Sequence, residues 1–149
     1  QDFARSHPGG SLGRRLLLTV ADIMVTKDQM PAVTPDTSLA DSLLIMSSKG
    51  LGMIAVINQD NQILGVFTDG DLRRFLNNTD YSAKNLSEIT IKTIINPNYT
   101  SVSEETLAVT AWELMSAKKI NGLLITDSNN NLKLIGMLNI HNLINAKVI

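Results

Sequence analysis

Apolar positions along the chain alternate between two periodicities, and the whole series occurs twice. Leu39, Leu43 and Met46 recur at helical spacing, and the unbroken run Met53-Ile54-Ala55-Val56-Ile57 follows. The polar turn Asn58-Gln59-Asp60-Asn61 parts that run from Ile63-Leu64-Gly65-Val66-Phe67, so the pair predicts a hairpin. A short helix over Asp69–Leu76 closes the unit. Further along, Leu107, Ala111, Leu114 and Met115 share a helical face. Gly122–Thr126, the turn Asp127–Asn131, and Leu132–Leu138 predict a second hairpin, with a closing helix over Ile140–Ala146. Asp36, Thr37 and Ser38 offer N-caps to the first long helix. Glu104 and Glu105 stand where the start of the second favours negative charge.

The two series superpose. A shift of 69 carries Met46-Ser47 onto Met115-Ser116 and Ala32-Val33-Thr34 onto Ser101-Val102-Ser103. Past the hairpin turns the shift becomes 71, carrying Gly65-Val66-Phe67 onto Gly136-Met137-Leu138, because a turn absorbs two extra residues at little cost. Each unit therefore reads strand, helix, strand, strand, helix. Neither copy has much core alone. Packing by their sheets through a pseudo-twofold buries both apolar faces, which is how repeats become stable. The expected class is α/β (α+β), with two βαββα repeats over residues 20–80 and 81–149. Asn77–Asn85 forms the polar linker between them. Gln1–Arg15, with Pro8, Gly9, Gly10 and Gly13, lacks periodicity and reads as an irregular connection, so residues 1–19 form a linker.

Composition removes several function classes. With 13 basic against 14 acidic residues the net charge is −1, and no electrostatic case exists for nucleic acid or an anionic membrane. The absence of cysteine excludes disulfides, thiolate metal sites and a thiol nucleophile, and it fits a cytoplasmic setting. The longest apolar runs fall far short of a membrane span. A start at Gln1 suggests an excised piece of something longer.

The order of elements, with Asp22-Ile23-Met24 ahead of the first unit and Gly65-Val66-Phe67-Thr68-Asp69-Gly70-Asp71-Leu72 ending it, resembles the CBS domain family. That resemblance covers about Val20 to the C-terminus. It implies a tandem pair forming a disc-like module, with clefts that in many members bind adenosine nucleotides or similar ligands. The run Asp2-Phe3-Ala4-Arg5-Ser6-His7-Pro8-Gly9-Gly10-Ser11-Leu12-Gly13-Arg14-Arg15-Leu16 resembles the junction in bacterial D-arabinose 5-phosphate isomerases, as does Gly65 to Arg74 at its place. Those enzymes join a sugar-isomerase (SIS) domain to a C-terminal CBS pair. The resemblance implies conversion of ribulose 5-phosphate to arabinose 5-phosphate, which feeds synthesis of Kdo for lipopolysaccharide and capsules of Gram-negative bacteria. The catalytic domain is then expected to precede Gln1, and this piece alone should be inactive.

Candidate chemistry is sparse. His7 matches the family histidine of Ser-His-Pro-Gly-Gly, which completes the isomerase site from the linker; on residues alone it is a solvated histidine in a glycine-rich tail. Thr68 and Asp71 match the family's Ser/Thr-x-x-Asp element, which serves phosphate and ribose hydroxyls. The same spacing is also a helix-capping box. The second unit carries Asn139 and Asn142 there, so one competent site is expected, on the side of the first repeat. Met53 and Ile54 stand where the family lines a base pocket, or where any core is built. Arg73 and Arg74, like Lys118 and Lys119, suit an anion or a solvated helix face. Trp112 reads as packing. His141, near a helix start, has no metal role, and no metal or resident cofactor is expected.

Three functions compete. The first is a module sensing a nucleotide or nucleotide sugar, CMP-Kdo by pathway context or an adenine nucleotide by family habit. The second is a ligand-free module that makes the parent a homo-oligomer through its CBS pairs. A free-standing enzyme is third, with no acid–base constellation outside the tail.

Overall fold

The computed structural model describes Gly13, residues 16–78 and residues 85–149. His7, most of the expected N-terminal connection and residues 79–84 of the expected linker lie outside these. In chain order the elements are α1 (Val20–Ile23), β1 (Ala32–Val33), α2 (Leu39–Lys49), β2 (Met53–Ile57), β3 (Ile63–Thr68) and α3 (Asp69–Leu76). After two 3-10 turns, at Leu86–Glu88 and Ile91–Thr93, come β4 (Ser101–Ser103), α4 (Ala108–Lys118), β5 (Gly122–Asp127), β6 (Asn130–Asn139) and α5 (Ile140–Asn145). Each repeat forms a three-stranded sheet, β1-β2-β3 or β4-β5-β6. In both, the first pair is parallel and the second an antiparallel hairpin.

Two boundaries differ from the periodicity. α4 begins at Ala108, because Glu104 and Glu105 form a turn before it rather than its first residues. β6 begins at Asn130, since Asp127 Oδ1 accepts the Asn129 N–H at 2.8 Å and tightens the hairpin turn. The first hairpin turns on Asn58, whose Oδ1 accepts from the Asp60 and Gln62 N–H groups, both at 2.9 Å. Ser38 is the N-cap chosen among the three candidates, accepting from the Asp41 N–H at 3.0 Å.

Strand alternation distributes the apolar residues over three cores. From β2, Ile54 and Val56 join Leu39, Met46 and Phe67 beneath the helices of the first repeat. Leu123 and Ile125 of β5 do the same with Ala111, Met115 and Leu138 in the second. The opposite faces, Met53, Ala55 and Val66 with Leu124, Leu134 and Met137, meet in a third core between the sheets. Each sheet is thus apolar on both sides, which is why the β2 and β5 runs have no polar break.

Each repeat is closed by a segment that precedes the other. Val20 of α1 is fully buried in the second repeat's core, and Ile91 is fully buried in the first's. The Val20 N–H donates to Thr106 O at 2.8 Å, and the Ala108 N–H to Leu18 O at 2.7 Å. Their counterparts repeat the pattern: Ile91 N–H to Thr37 O at 2.8 Å, Leu39 N–H to Ile89 O at 2.7 Å. Further on, Val25 pairs with Met137 of β6 and Asn96 with Val66 of β3. Gly65 allows this approach, since a Cβ there would stand 2.8 Å from Asn96 O; at Gly136 it would stand 3.1 Å from Val25 O.

Ile91→Ala is therefore expected to cost about 2–5 kcal/mol, the range for emptying a core site. Because the lid is shared, urea unfolding should stay a single transition; two resolved transitions would show that the repeats fold independently. A second test uses the pseudo-symmetry. Ser42 in α2 is fully buried and its Oγ finds no hydrogen-bond partner among the described residues, whereas the matching residue of α4 is the fully buried Ala111. Ser42→Ala should stabilise the protein by about 1 kcal/mol, because a buried hydroxyl without a partner opposes folding. A loss of stability would mean that the hydroxyl is satisfied.

Candidate functional site

The end of β3 and the start of α3 place the first two candidate residues. Thr68 leaves the strand in extended conformation and caps α3, its Oγ1 accepting from the Asp71 N–H at 3.1 Å. The Thr68 N–H in turn donates to Asp71 Oδ2 at 2.9 Å, completing a reciprocal capping box. Asp71 Oδ1 accepts from Arg74 at 2.5 Å, an ion pair in which the carboxylate side chain is 12% exposed and the guanidinium 71%. A carboxylate offers about four lone-pair sites, and these two bonds leave acceptor capacity. Thr68 still has its O–H to donate. Both residues also face the cleft between the repeats, so capping and cleft lining are one arrangement.

The second repeat keeps the cap and drops the charge. Asn139 caps α5 and is 4% exposed; its Oδ1 accepts from the His141 N–H at 2.9 Å. The Asn139 N–H donates to Asn142 Oδ1 at 2.7 Å. An amide oxygen replaces the carboxylate without disturbing the turn.

The cleft has a volume of about 670 Å³ and is walled by both repeats. The turn into β2 (Gly50–Met53) and the rim Thr68–Asp71 form one side. The turn into β5 (Lys119–Gly122) and Asn139–His141 form the other. Residues 96–100 make a third wall, held against β3 by the Val66–Asn96 pairing. Met53 and Arg73 line the cleft as the sequence suggests. Ile54 does not: one residue on along β2 it faces the helices, fully buried beneath them. That corrects the pairing of Met53 with Ile54 as cleft residues. Trp112 packs half-buried against the second repeat's core. His7 lies outside the described residues.

Lining groups that the sequence does not single out include Tyr99, Asn96 and Asn98, while Lys119, read from the sequence as an anion contact or a solvated helix face, also lines the cleft. Tyr99 is half-buried against the inter-sheet core, offering an aromatic face beside Met53 and Val66. It stands before β4, in chain that periodicity reads as connection. The signal that finds it is the crossover itself, which carries this segment to the first repeat. Among the described residues no group of three or more His, Asp or Glu side chains could hold a metal ion. No described helix is long and apolar enough to cross a membrane.

Two sheet-and-helix repeats facing one another across a shared cleft define a paired α/β module. The sequence matches the CBS domain over residues 20–78 and again over 91–149, and the chain belongs to that family. It is 40% identical over 148 residues to the arabinose 5-phosphate isomerase KdsD of Pseudomonas aeruginosa, 99% of this chain and 44% of that protein. Against the KdsD of Escherichia coli K12 it is 40% identical over 149 residues, 43% of that protein. The chain thus spans less than half the length of these curated relatives. Among solved structures, CBSX2 in complex with AMP superposes with a TM-score of 0.73 at 26% identity, over 88% of this chain and 96% of that one.

Proposed function

We propose that this chain is the regulatory module of an arabinose 5-phosphate isomerase, and that its cleft binds a nucleotide or nucleotide sugar. The observation that carries this reading is the coincidence of one cleft of about 670 Å³ with the Thr68–Asp71 rim, an aromatic face at Tyr99 and cations at Arg73 and Lys119. The volume lies in the range of small-molecule sites. Asp71 suits a ribose diol, Thr68 and the cations suit phosphate, and Tyr99 with Met53 suits a base. Support from relatives is the identity to the KdsD proteins and the AMP complex of CBSX2. Among pathway compounds, CMP-Kdo is the ligand we favour, as a product acting in feedback; AMP and ATP are the adenine alternatives.

In the parent enzyme residues 1–19 serve as the linker from the isomerase domain, and His7 reaches that domain's active site. Residues 20–80 and 81–149 act as the two repeats. The setting we infer is cytoplasmic. Ligand in the cleft shifts the enzyme between states only so far as its affinity for them differs.

Titration calorimetry with CMP-Kdo, AMP and ATP tests the reading, and no heat at millimolar ligand would sink it. Asp71→Asn sharpens the test, because Asn142 shows that an amide keeps the cap. Exchanging a charged for a neutral acceptor should weaken binding about tenfold, roughly 1.4 kcal/mol, while leaving the fold intact.

A second reading rests on exposed apolar side chains of the helices: Leu44 on α2 is 69% exposed and Leu76 on α3 57%. Such side chains suit pairing of these helices with a second copy, making the parent a homo-oligomer. Sedimentation equilibrium is expected to show a dimer that Leu44→Glu dissociates; a monomer at every concentration would remove this role.

A further inference from the structure

An asparagine is followed by glycine once in the sequence, at Asn121-Gly122. In the fold this dipeptide leads from the turn after α4 into β5, and both residues line the cleft. Asn121 is exposed, and its side-chain amide makes no hydrogen bond among the described residues. Asn58, Asn139 and Asn142 differ, since the amide oxygen of each accepts backbone N–H groups in a turn or cap.

The backbone beside that amide is equally open. Gly122 pairs with Asn139 of β6, and the bonding comes from flanking residues, the Ile140 N–H donating to Asn121 O at 3.0 Å. The Gly122 N–H is therefore turned away from β6. On its other side the pairing with β4 starts only at Leu124. No hydrogen bond from the Gly122 N–H is found among the described residues. Glycine also has no Cβ to crowd this nitrogen, and it lets the peptide turn. An unheld amide carbon thus adjoins an unheld amide nitrogen.

We infer that Asn121 is a site of spontaneous covalent modification, where the side-chain amide is lost through a cyclic imide and a carboxylate enters the cleft wall. The Gly122 nitrogen gives its proton to solvent base and bonds to Asn121 Cγ. The bond from Cγ to Nδ2 breaks, and the amide leaves as ammonia after taking up a proton. Water then adds to one of the two ring carbonyls, and that carbon's bond to the ring nitrogen breaks as the nitrogen regains a proton. Opening at Cγ gives aspartate. Opening at the main-chain carbonyl gives isoaspartate, in which the chain runs through Cγ and the carbonyl bonded by Ile140 leaves the main chain. Either product adds a negative charge to the wall that carries Lys119 and His141. No ligand is needed, so the inference stands or falls apart from the cleft-binding reading above.

The experiment ages the folded protein, and the same protein in urea, at mildly alkaline pH. Trypsin then releases Ile120–Lys133, a peptide that holds Asn121 together with Asn129, Asn130 and Asn131 as internal controls. Fragmentation by mass spectrometry reads which of them has exchanged NH2 for OH, and an isoaspartyl methyltransferase reads the rearranged product. In the folded protein Asn121 should convert ahead of the other three, giving both aspartate and isoaspartate. Its conversion should be roughly three- to tenfold slower folded than in urea, because the Ile140 bond resists turning of the peptide. Asn121→Gln should abolish the isoaspartate at 121, since its ring would need an extra carbon and closes more slowly. The inference fails if folded Asn121 keeps its amide as long as Asn129 does. It fails equally if Asn121 yields aspartate alone, which direct hydrolysis would give without a ring.

Discussion

The structure depends on an exchange of lids. Val20 seals the second repeat and Ile91 the first, each held by backbone hydrogen bonds to the turn before the long helix it covers. A half-size sheet with one or two helices buries too little surface to stand alone. Crossing the segments makes each half's core conditional on the other, in addition to the apolar contact between the sheets. The same crossover builds the cleft. Val66–Asn96 pairing fixes the chain that carries Asn98 and Tyr99 against the sheet of the first repeat, so the cleft wall and the fold's closure share hydrogen bonds.

Much of this was legible in the residues, and the rest was hidden for a physical reason. Short apolar runs, Asn-rich turns and the doubled Gly-x-Phe/Leu ends locate the hairpins, and Thr68-x-x-Asp71 announces both the cap and the rim. Periodicity reports which side of an element is apolar, not which neighbour covers it. The destination of Val20 and Ile91 was therefore invisible, and so was Tyr99, which reaches its place only through the crossover. Ile54 misled for a simpler reason: an unbroken apolar run does not say which alternate residues face the cleft. Lys119 reads from the residues as an anion contact or a solvated helix face, and nothing in the residues alone says that it reaches the cleft while Lys118 does not.

Pseudo-symmetry makes the departures informative. Where the two halves need the same backbone geometry, the second tolerates any side chain that supplies the same hydrogen bond, which is why Asn139 and Asn142 cap α5 as Thr68 and Asp71 cap α3. The cap geometry is thus kept with or without the charge, and the difference between carboxylate and amide falls on the Asp71–Arg74 ion pair and on the two rims of the cleft. Ser42 against Ala111 is the opposite case, in which the hydroxyl serves neither a cap nor the cleft.

On the cleft lining the symmetry also breaks in shape. Met53 and Gly122 are counterparts, and a Cβ on Gly122 would stand 2.6 Å from Met53 Sδ. A side chain at 122 would have to displace the Met53 thioether; as built, one half presents a long side chain and the other bare backbone. The cleft is consequently lopsided before any charge is considered, since Met53 of the first repeat reaches over bare backbone of the second at Gly122. The close approach at one glycine thereby makes the cleft unequal in shape, and the carboxylate rim at Asp71 against the amide rim at Asn142 makes it unequal in charge.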